Sequence, residues 1–332
     1  MELRIRSSDV VKTCNLCGST ESRWALIAHR ERFDIPIGSC ICLDCGLVFL
    51  TPRMTPAEAA EFYRDGIYRM LTEKTNRKTP WRQSQAIYAA AVVQAIHSTM
   101  QHWAGAKLLD VGGSTGIVAK ALADAFRVDP TVVDPSETET AEARGLGLEA
   151  ITGTIDAVPA NRQYDIVTAF QTVDHFLDIA GSLQAMRERL RPGGLLIVDI
   201  CEIELVLAAK QSVEQTCKID HPYGLTLATM EAYLRRAGFA ILQRIKWEGI
   251  PKVLYVCRRD VPDPSATPSR ESVVMLLGLL AFVRATQYEA SHPQPHRKHR
   301  KPGGPETPDG SLRADAQGAG GVVDRLPDGG YD

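Results

Sequence analysis

Lys107-Leu-Leu-Asp-Val-Gly-Gly-Ser-Thr-Gly116 sets one carboxylate, Asp110, two residues ahead of a glycine-rich turn. The run reads as a buried strand, a tight turn and a helix start. Gly112, Gly113 and Gly116 let the backbone bend sharply and let a ligand approach without a Cβ in the way. Turns of this kind hold nucleotide-type cofactors over helix N–H groups. The carboxylate sorts among those cofactors. It would repel a pyrophosphate and suits a ligand with positive charge, such as the ammonium and sulfonium of S-adenosylmethionine. Asp134, followed by Pro135, ends the next strand 24 residues further on. That is the spacing of an acidic residue that accepts hydrogen bonds from ribose hydroxyls. A dinucleotide site and a strand–turn–helix without ligand are the alternatives.

A second chemistry lies near the N-terminus. Cys14-Asn-Leu-Cys17-Gly and Cys42-Leu-Asp-Cys45-Gly are two Cys-x-x-Cys pairs, each followed by glycine. Four thiolates at this spacing predict a closed, tetrahedral structural zinc site (Zn²⁺) with no open position for catalysis. Cys40 is a fifth cysteine close by; it reads as a small core residue, with replacement of Cys42 as the alternative. Histidines supply a third chemistry, because imidazole titrates near neutral pH and can take a proton from an acceptor. His221 falls in an insertion, Glu202 to Gly224, placed to cover the site. His175 ends the fourth strand. Tyr223 could hydrogen-bond a substrate, and Tyr63 and Tyr68 could close over a cofactor. For each of these side chains, plain packing is the competing reading.

The elements that must position these residues follow from pattern. Residues 1–55 hold the cysteine pairs and form a zinc-ribbon domain. Thr51-Pro-Arg-Met-Thr-Pro56 marks a boundary, and Thr55 with Glu58 predicts a capping box. Residues 56–104 read as a helical linker or cap. From residue 105 to 260 strands alternate with helices. The predicted strands are Lys107–Val111, Arg127–Asp134, Leu148–Thr152, Tyr164–Phe170 and Leu195–Cys201; Phe239–Trp247 and Lys252–Arg258 form an edge hairpin. This predicts an α/β fold, a Rossmann-like doubly wound sheet with an antiparallel edge. Residues 261–332 read as a linker, a helix at 271–288 and a disordered tail carrying the basic run His296 to Lys301.

Hydrophobic content of 44% and charged content of 23% are those of an ordinary soluble protein. A net charge of −2 supplies no pull toward nucleic acid or anionic lipid. The N-terminus lacks an apolar signal core, and the longest apolar run, Val273 to Val283, is too short to span a bilayer. A cytoplasmic enzyme without nucleic-acid partner or membrane span is expected.

Taken in order, the motifs of residues 106–258 resemble a class I S-adenosylmethionine-dependent methyltransferase. Leu108 to Gly116 resembles its first motif and Val132-Val-Asp-Pro135 its ribose-binding acidic motif. Gly153-Thr-Ile-Asp156 resembles the segment that holds the adenine, with Asp156 accepting from the amino group. Tyr164 to His175 resembles the fourth-strand motif, whose end, from Gln171, lines the active-site floor. Leu190-Arg-Pro-Gly-Gly resembles the turn into strand five. Ser114 stands where a third glycine is usual. Together with the cysteine pairs and the linker, the chain resembles the sugar C-methyltransferases of deoxysugar and glycan pathways. That family carries a His-x-His pair before the last helix, its second histidine acting as base; His221 matches that position, and Ile219 occupies the first. The resemblance implies methylation, on carbon or oxygen, of a small polar acceptor, a sugar or nucleotide-sugar. An RNA methyltransferase using its zinc module, and a non-catalytic binding protein that kept the fold, are the rival classes.

Overall fold

The computed structural model describes residues 7–64, 66–75 and 80–291. The expected disordered tail and its basic run lie outside the described residues. The N-terminal module is an antiparallel sheet of β1 (Trp24–Ala28), β2 (Gly38–Cys42) and β3 (Val48–Thr51). Three helices follow: α1 (Pro56–Arg64), α2 (Ile67–Thr75) and α3 (Trp81–Met100). The capping box opens α1 as predicted: the Thr55 N–H donates to Glu58 Oε2 at 2.8 Å and the Glu58 N–H to Thr55 Oγ1 at 3.2 Å.

The remainder alternates as the sequence predicts: β4 (Lys107–Val111), α4 (Ile117–Phe126), β5 (Asp129–Asp134), α5 (Glu137–Gly145), β6 (Glu149–Thr152), β7 (Tyr164–Ala169), α6 (Ile179–Arg189), β8 (Leu190–Cys201). Then come α7 (Ile203–Lys210), α8 (Val213–Thr216), β9 (Tyr223–Gly224), α9 (Leu227–Arg236), β10 (Phe239–Lys246), β11 (Lys252–Arg259) and α10 (Arg270–Ser291). The large sheet has the order β10-β11-β8-β7-β4-β5-β6, with β11 antiparallel to both its neighbours and the rest parallel. Arg127, expected to open a strand, instead ends α4 in the left-handed conformation, φ +57°, so β5 starts at Asp129.

From β4 the chain winds outward to β6 and then returns to β7 on β4's other side. This is the topological switch point, where the carboxyl ends of parallel strands leave a crevice for ligands. Asp110, Asp134 and Gln171 all lie at that edge.

The N-terminal module does not keep a core of its own. Cys14, Cys42, Cys45 and Phe49 are buried in one cluster with Tyr223, Leu225 and Tyr233. The reason is β9, which pairs with β3, Phe49 opposite Tyr223 and Val48 opposite Gly224. On the other face, Leu276, Leu280 and Val283 of α10 pack with Leu50, Ile203 and Leu207. No helix among the described residues is long and apolar enough to cross a membrane.

Candidate functional site

The glycine turn is shaped by what crowds it. Gly112 has φ +70°, a conformation L side chains rarely adopt. A Cβ on Gly113 would lie 2.6 Å from Asp110 Oδ2, so the missing side chain is the space that the carboxylate occupies. Asp110 itself is 1% exposed. Its Oδ1 accepts from Thr168 Oγ1 on the neighbouring strand at 2.7 Å, and its Oδ2 is buried with no partner. Burial above all, with the negative charge of Asp134, pushes the Asp110 carboxyl up to about 7 despite the Thr168 bond. An orphaned buried carboxylate oxygen at a switch-point crevice is the feature a cationic ligand would complete.

Asp134 is held just as firmly. Its two oxygens accept from the backbone N–H groups of Ser114 (3.0 Å) and Ser136 (2.9 Å), and burial raises its carboxyl to about 6. Those bonds tie β5 to the glycine turn and leave each carboxylate oxygen a further lone pair. Pro135 sits between Asp134 and Ser136, whose hydroxyl caps α5. Asp156 is exposed in a short 3-10 turn after β6. Gln171 is exposed at the end of β7, φ +52°, its N–H donated to the buried carboxylate of Asp199. The predicted donor residues thus share one edge of the sheet.

Ser114 has a reason to be serine. At φ +50° glycine would be less strained. Yet the hydroxyl donates to Glu139 Oε2 at 2.5 Å and accepts from Gln85 Nε2 at 3.1 Å, and Thr115 Oγ1 donates to Gln85 Oε1 at 2.7 Å. Gln85 belongs to α3, so the cap is bonded directly to the glycine turn. Nothing in the sequence around Gln85 signals this role. Ser114→Ala keeps the strain and loses both bonds, leaving the buried Glu139 short of a donor; it should cost about 1.5–3 kcal/mol. Ser114→Gly also loses the bonds but relieves the strain, which is worth about 1 kcal/mol or more. Urea unfolding should therefore rank wild type above glycine and glycine above alanine; alanine equal to wild type would show that the hydroxyl holds nothing.

The histidines meet beside this crevice. His175, in the 3-10 turn after β7, and His221, two residues before β9, have ring centroids 4.4 Å apart. His221 Nδ1 lies 3.2 Å from Asp174 Oδ2. His175 Nδ1 lies 3.1 Å from the Tyr63 hydroxyl of α1, and the Tyr68 ring of α2 stands edge-on to His175 at 5.5 Å. The cap tyrosines therefore reach the histidines. Burial pushes His221 well below the ordinary histidine value; Asp174 opposes that shift, while Lys218, His175 and Arg32 reinforce it. Burial alone would push the Asp174 carboxyl up, but His221 and His175, together with a backbone N–H and Lys252, leave it below its usual range. His221 is placed by its own segment: its N–H donates to Lys218 O, while the Ile219 N–H donates to the buried Glu31 at 3.1 Å. The residue missing from the His-x-His pattern is thus a backbone anchor.

Tyr223 has its hydroxyl spent on structure. It is 4% exposed, donates to Leu177 O at 3.0 Å and accepts from the Arg53 guanidinium. Burial first of all holds its phenol up at about 12. The residue also lines the cavity of about 800 Å³ that opens beyond His221, between β3, α7 and the turn Trp247 to Pro251.

The four paired cysteines converge 0–3% exposed, apart from the half-buried Cys17. All four Sγ atoms lie within 4.8 Å of one another, with Cys14–Cys45 at 3.5 Å and Cys17–Cys42 at 3.6 Å. Zinc–sulfur bonds of about 2.3 Å at tetrahedral angles set sulfurs about 3.8 Å apart. Each pair closes as a knuckle: the Gly18 N–H donates to Cys14 O and the Gly46 N–H to Cys42 O, both at 2.8 Å. Contacts with Cys14 pull Cys17 and Cys42 down, Cys42 to about 6, and push Cys45 up, while Cys17 pushes Cys14 up. Cys40 is buried outside this four-sulfur group.

Comparison with known proteins agrees with this architecture. A family model described as a methyltransferase domain matches residues 57–244. The ubiquinone biosynthesis O-methyltransferase of Methylocella silvestris is 31% identical over 99 residues, covering 28% of this chain and 38% of that protein. The alpha N-terminal protein methyltransferase 1 of Drosophila melanogaster is 28% identical over 137 residues, 41% of this chain and 45% of that protein. The chain thus spans about two fifths of the length of these curated relatives. Among solved structures, a Thermotoga maritima S-adenosylmethionine-dependent methyltransferase, described as a possible histamine N-methyltransferase, superposes with a TM-score of 0.46 at 19% identity. That superposition covers 58% of this chain and 98% of the other. Since the family match takes in more than half of its length, the chain belongs to the methyltransferase-domain family, in its class I, S-adenosylmethionine-dependent form.

Proposed function

We propose that this chain transfers a methyl group to a small acceptor held in the cavity beyond His221, with His221 as general base and a structural zinc in the N-terminal module. The observation that carries the reading is the position of His221, between the donor edge of the sheet and that cavity, with Asp174 fixing its ring. S-adenosylmethionine, when bound, supplies a methyl group made electrophilic by its sulfonium. Asp110 would hold the positive end of that molecule, Asp134 its ribose, and Asp156 and Gln171 the edge around its base. An ionised Asp174 takes the Nδ1–H of His221. Nε2, 3.7 Å from Asp220 Oδ2 and so beyond hydrogen-bond distance, keeps its lone pair for the acceptor's proton. Tyr63 and Tyr68 on the cap exclude water from the same space. Cys14, Cys17, Cys42 and Cys45 would hold the zinc, which fixes β3 as a wall of the cavity.

A sugar or nucleotide-sugar acceptor, modified on carbon or oxygen, is supported by the His221 block. The O-methyltransferase relatives support oxygen as the atom. The donor half of the proposal is tested by calorimetry with S-adenosylmethionine. Affinity should rise between pH 6 and 7.5, as Asp110 loses its proton and gains a charge to pair with the ligand. Asp110→Asn should bind at least about tenfold more weakly and lose that pH dependence. Equal affinity in the variant would remove the carboxylate from the donor site.

A further inference from the structure

The cavity beyond His221 is chemically two-sided. Ile203, Val206, Trp247 and Ile250 give it an apolar wall. Its charged lining is Arg32, Lys210 and Lys218 against one carboxylate, Asp174, already paired with His221. Lys218 is the unusual member. Its side chain is only 9% exposed, and its Nζ lies 3.7 Å from Asp220 Oδ2. That separation is too long for a hydrogen bond. The same oxygen also lies 3.7 Å from His221 Nε2 and 3.9 Å from His175 Nδ1. One carboxylate therefore faces three nitrogen groups, and its other oxygen, Oδ1, is buried without a partner. A lysine on a nearly buried stem, lining a cavity with its acid beyond hydrogen-bond distance, is costly unless a ligand completes it. A methionine would fill the same volume without that cost.

We propose that the cavity takes, in place of the sugar that the His221 block alone supports, an acceptor with an apolar body and an anionic oxygen group beside the methylated atom, the anion being held by Lys218. This rests on the methyl-transfer reading only for calling the cavity the acceptor site. The apolar wall receives the body, as in most small-molecule sites, while the few polar groups set its orientation. Lys218 then has two effects. It binds the anionic group, and its charge disfavours a proton on His221, keeping the base ready. It is a specificity residue through the first effect and a positioning residue for the base through the second.

The test uses the full chain saturated with S-adenosylhomocysteine and two probes sharing one ring system, 1-naphthoate and 1-naphthalenemethanol, titrated calorimetrically. Wild type should bind the carboxylate about tenfold or more tightly than the alcohol. Lys218→Arg should keep that preference. Lys218→Met should abolish it while binding the alcohol as wild type does. Equal affinities in wild type, a preference that survives Lys218→Met, or no binding of either probe would each overturn the proposal. The wild-type comparison stands even if Lys218→Met does not fold. Binding of S-adenosylhomocysteine in the same samples separates this failure from failure of the methyl-transfer reading, since that reading falls only if the donor site does not bind.

Discussion

Replacing His221 with glutamine is expected to lower methyl transfer by about 10²–10⁴-fold while S-adenosylhomocysteine binding stays within about threefold. Glutamine fills the space and can donate to Asp174, so the segment from Lys218 to Tyr223 keeps its place, but an amide takes no proton. Among the described residues no hydrogen bond or ion pair joins the glycine turn, Asp110 or Asp134 to His221, which is why donor affinity should survive. The pH behaviour separates a base from a mere packing residue. Burial holds His221 well below the ordinary value, so wild-type turnover at saturating S-adenosylmethionine should stay level from pH 8 to about 6.5, where an exposed histidine would already be half protonated. The acid limb should lie below that range. The same shift links folding to protons. Below about pH 6.5 the unfolded chain binds a proton that the folded chain lacks, so His221 subtracts stability as the pH falls through that window. An NMR titration of the imidazole, and labelled methyl transfer by the variant, check both statements. Turnover unchanged in His221→Gln would take the residue out of the reaction.

Cys45→Ser should be the most damaging substitution to the fold. A structural four-thiolate zinc contributes on the order of 10 kcal/mol to the module that holds it, and hydroxyl is a poor replacement for thiolate. The loss would not stay local. Cys45 is 1% exposed in the cluster that joins the cysteines to Tyr223 and Tyr233. β3, which begins three residues later, pairs with β9 and walls the acceptor cavity. Wild-type protein purified under reducing conditions should release one zinc per chain to a chromophoric chelator on denaturation. The variant should release almost none and melt roughly 10 °C or more lower. Metal-free wild type with an unchanged melting point would sink the zinc assignment.

The parts of this molecule that follow from local pattern were legible in its sequence. The strand–turn–helix at Asp110, the capping box at Thr55 and the alternation from β4 to β8 are each written within a few residues, and the edge hairpin follows from two apolar runs around Glu248 to Pro251. The two cysteine pairs announced their convergence by spacing. What escaped the sequence depends on contacts between distant segments. Gln85 reaches Ser114 across 29 residues and Tyr63 reaches His175 across 112; neither has a motif. Asp174 stood beside His175 in the fourth-strand motif and could have been singled out as the partner of a histidine. Lys218 and Asp220 flank Ile219, the first position of the His-x-His pattern, but only the fold shows both of them buried and Lys218 beside a cavity. Tyr223 illustrates the opposite case, in which a suitable side chain has its hydroxyl taken by Leu177 and Arg53.

The pairing of β3 with β9 has a consequence for how this chain is made. On the ribosome the N-terminal module emerges first, yet its sheet gains its last strand only when residues 223 and 224 have been synthesised. For the intervening stretch of roughly 170 residues, at about 5–20 residues per second, β3 presents a bare edge of Val48, Phe49 and Leu50, the kind of edge that recruits other chains. If the proposed zinc is bound, metal capture by the two knuckles would hold the module during those seconds. On that proposal, zinc supply during translation, more than zinc in the finished protein, should decide how much of this chain reaches its fold.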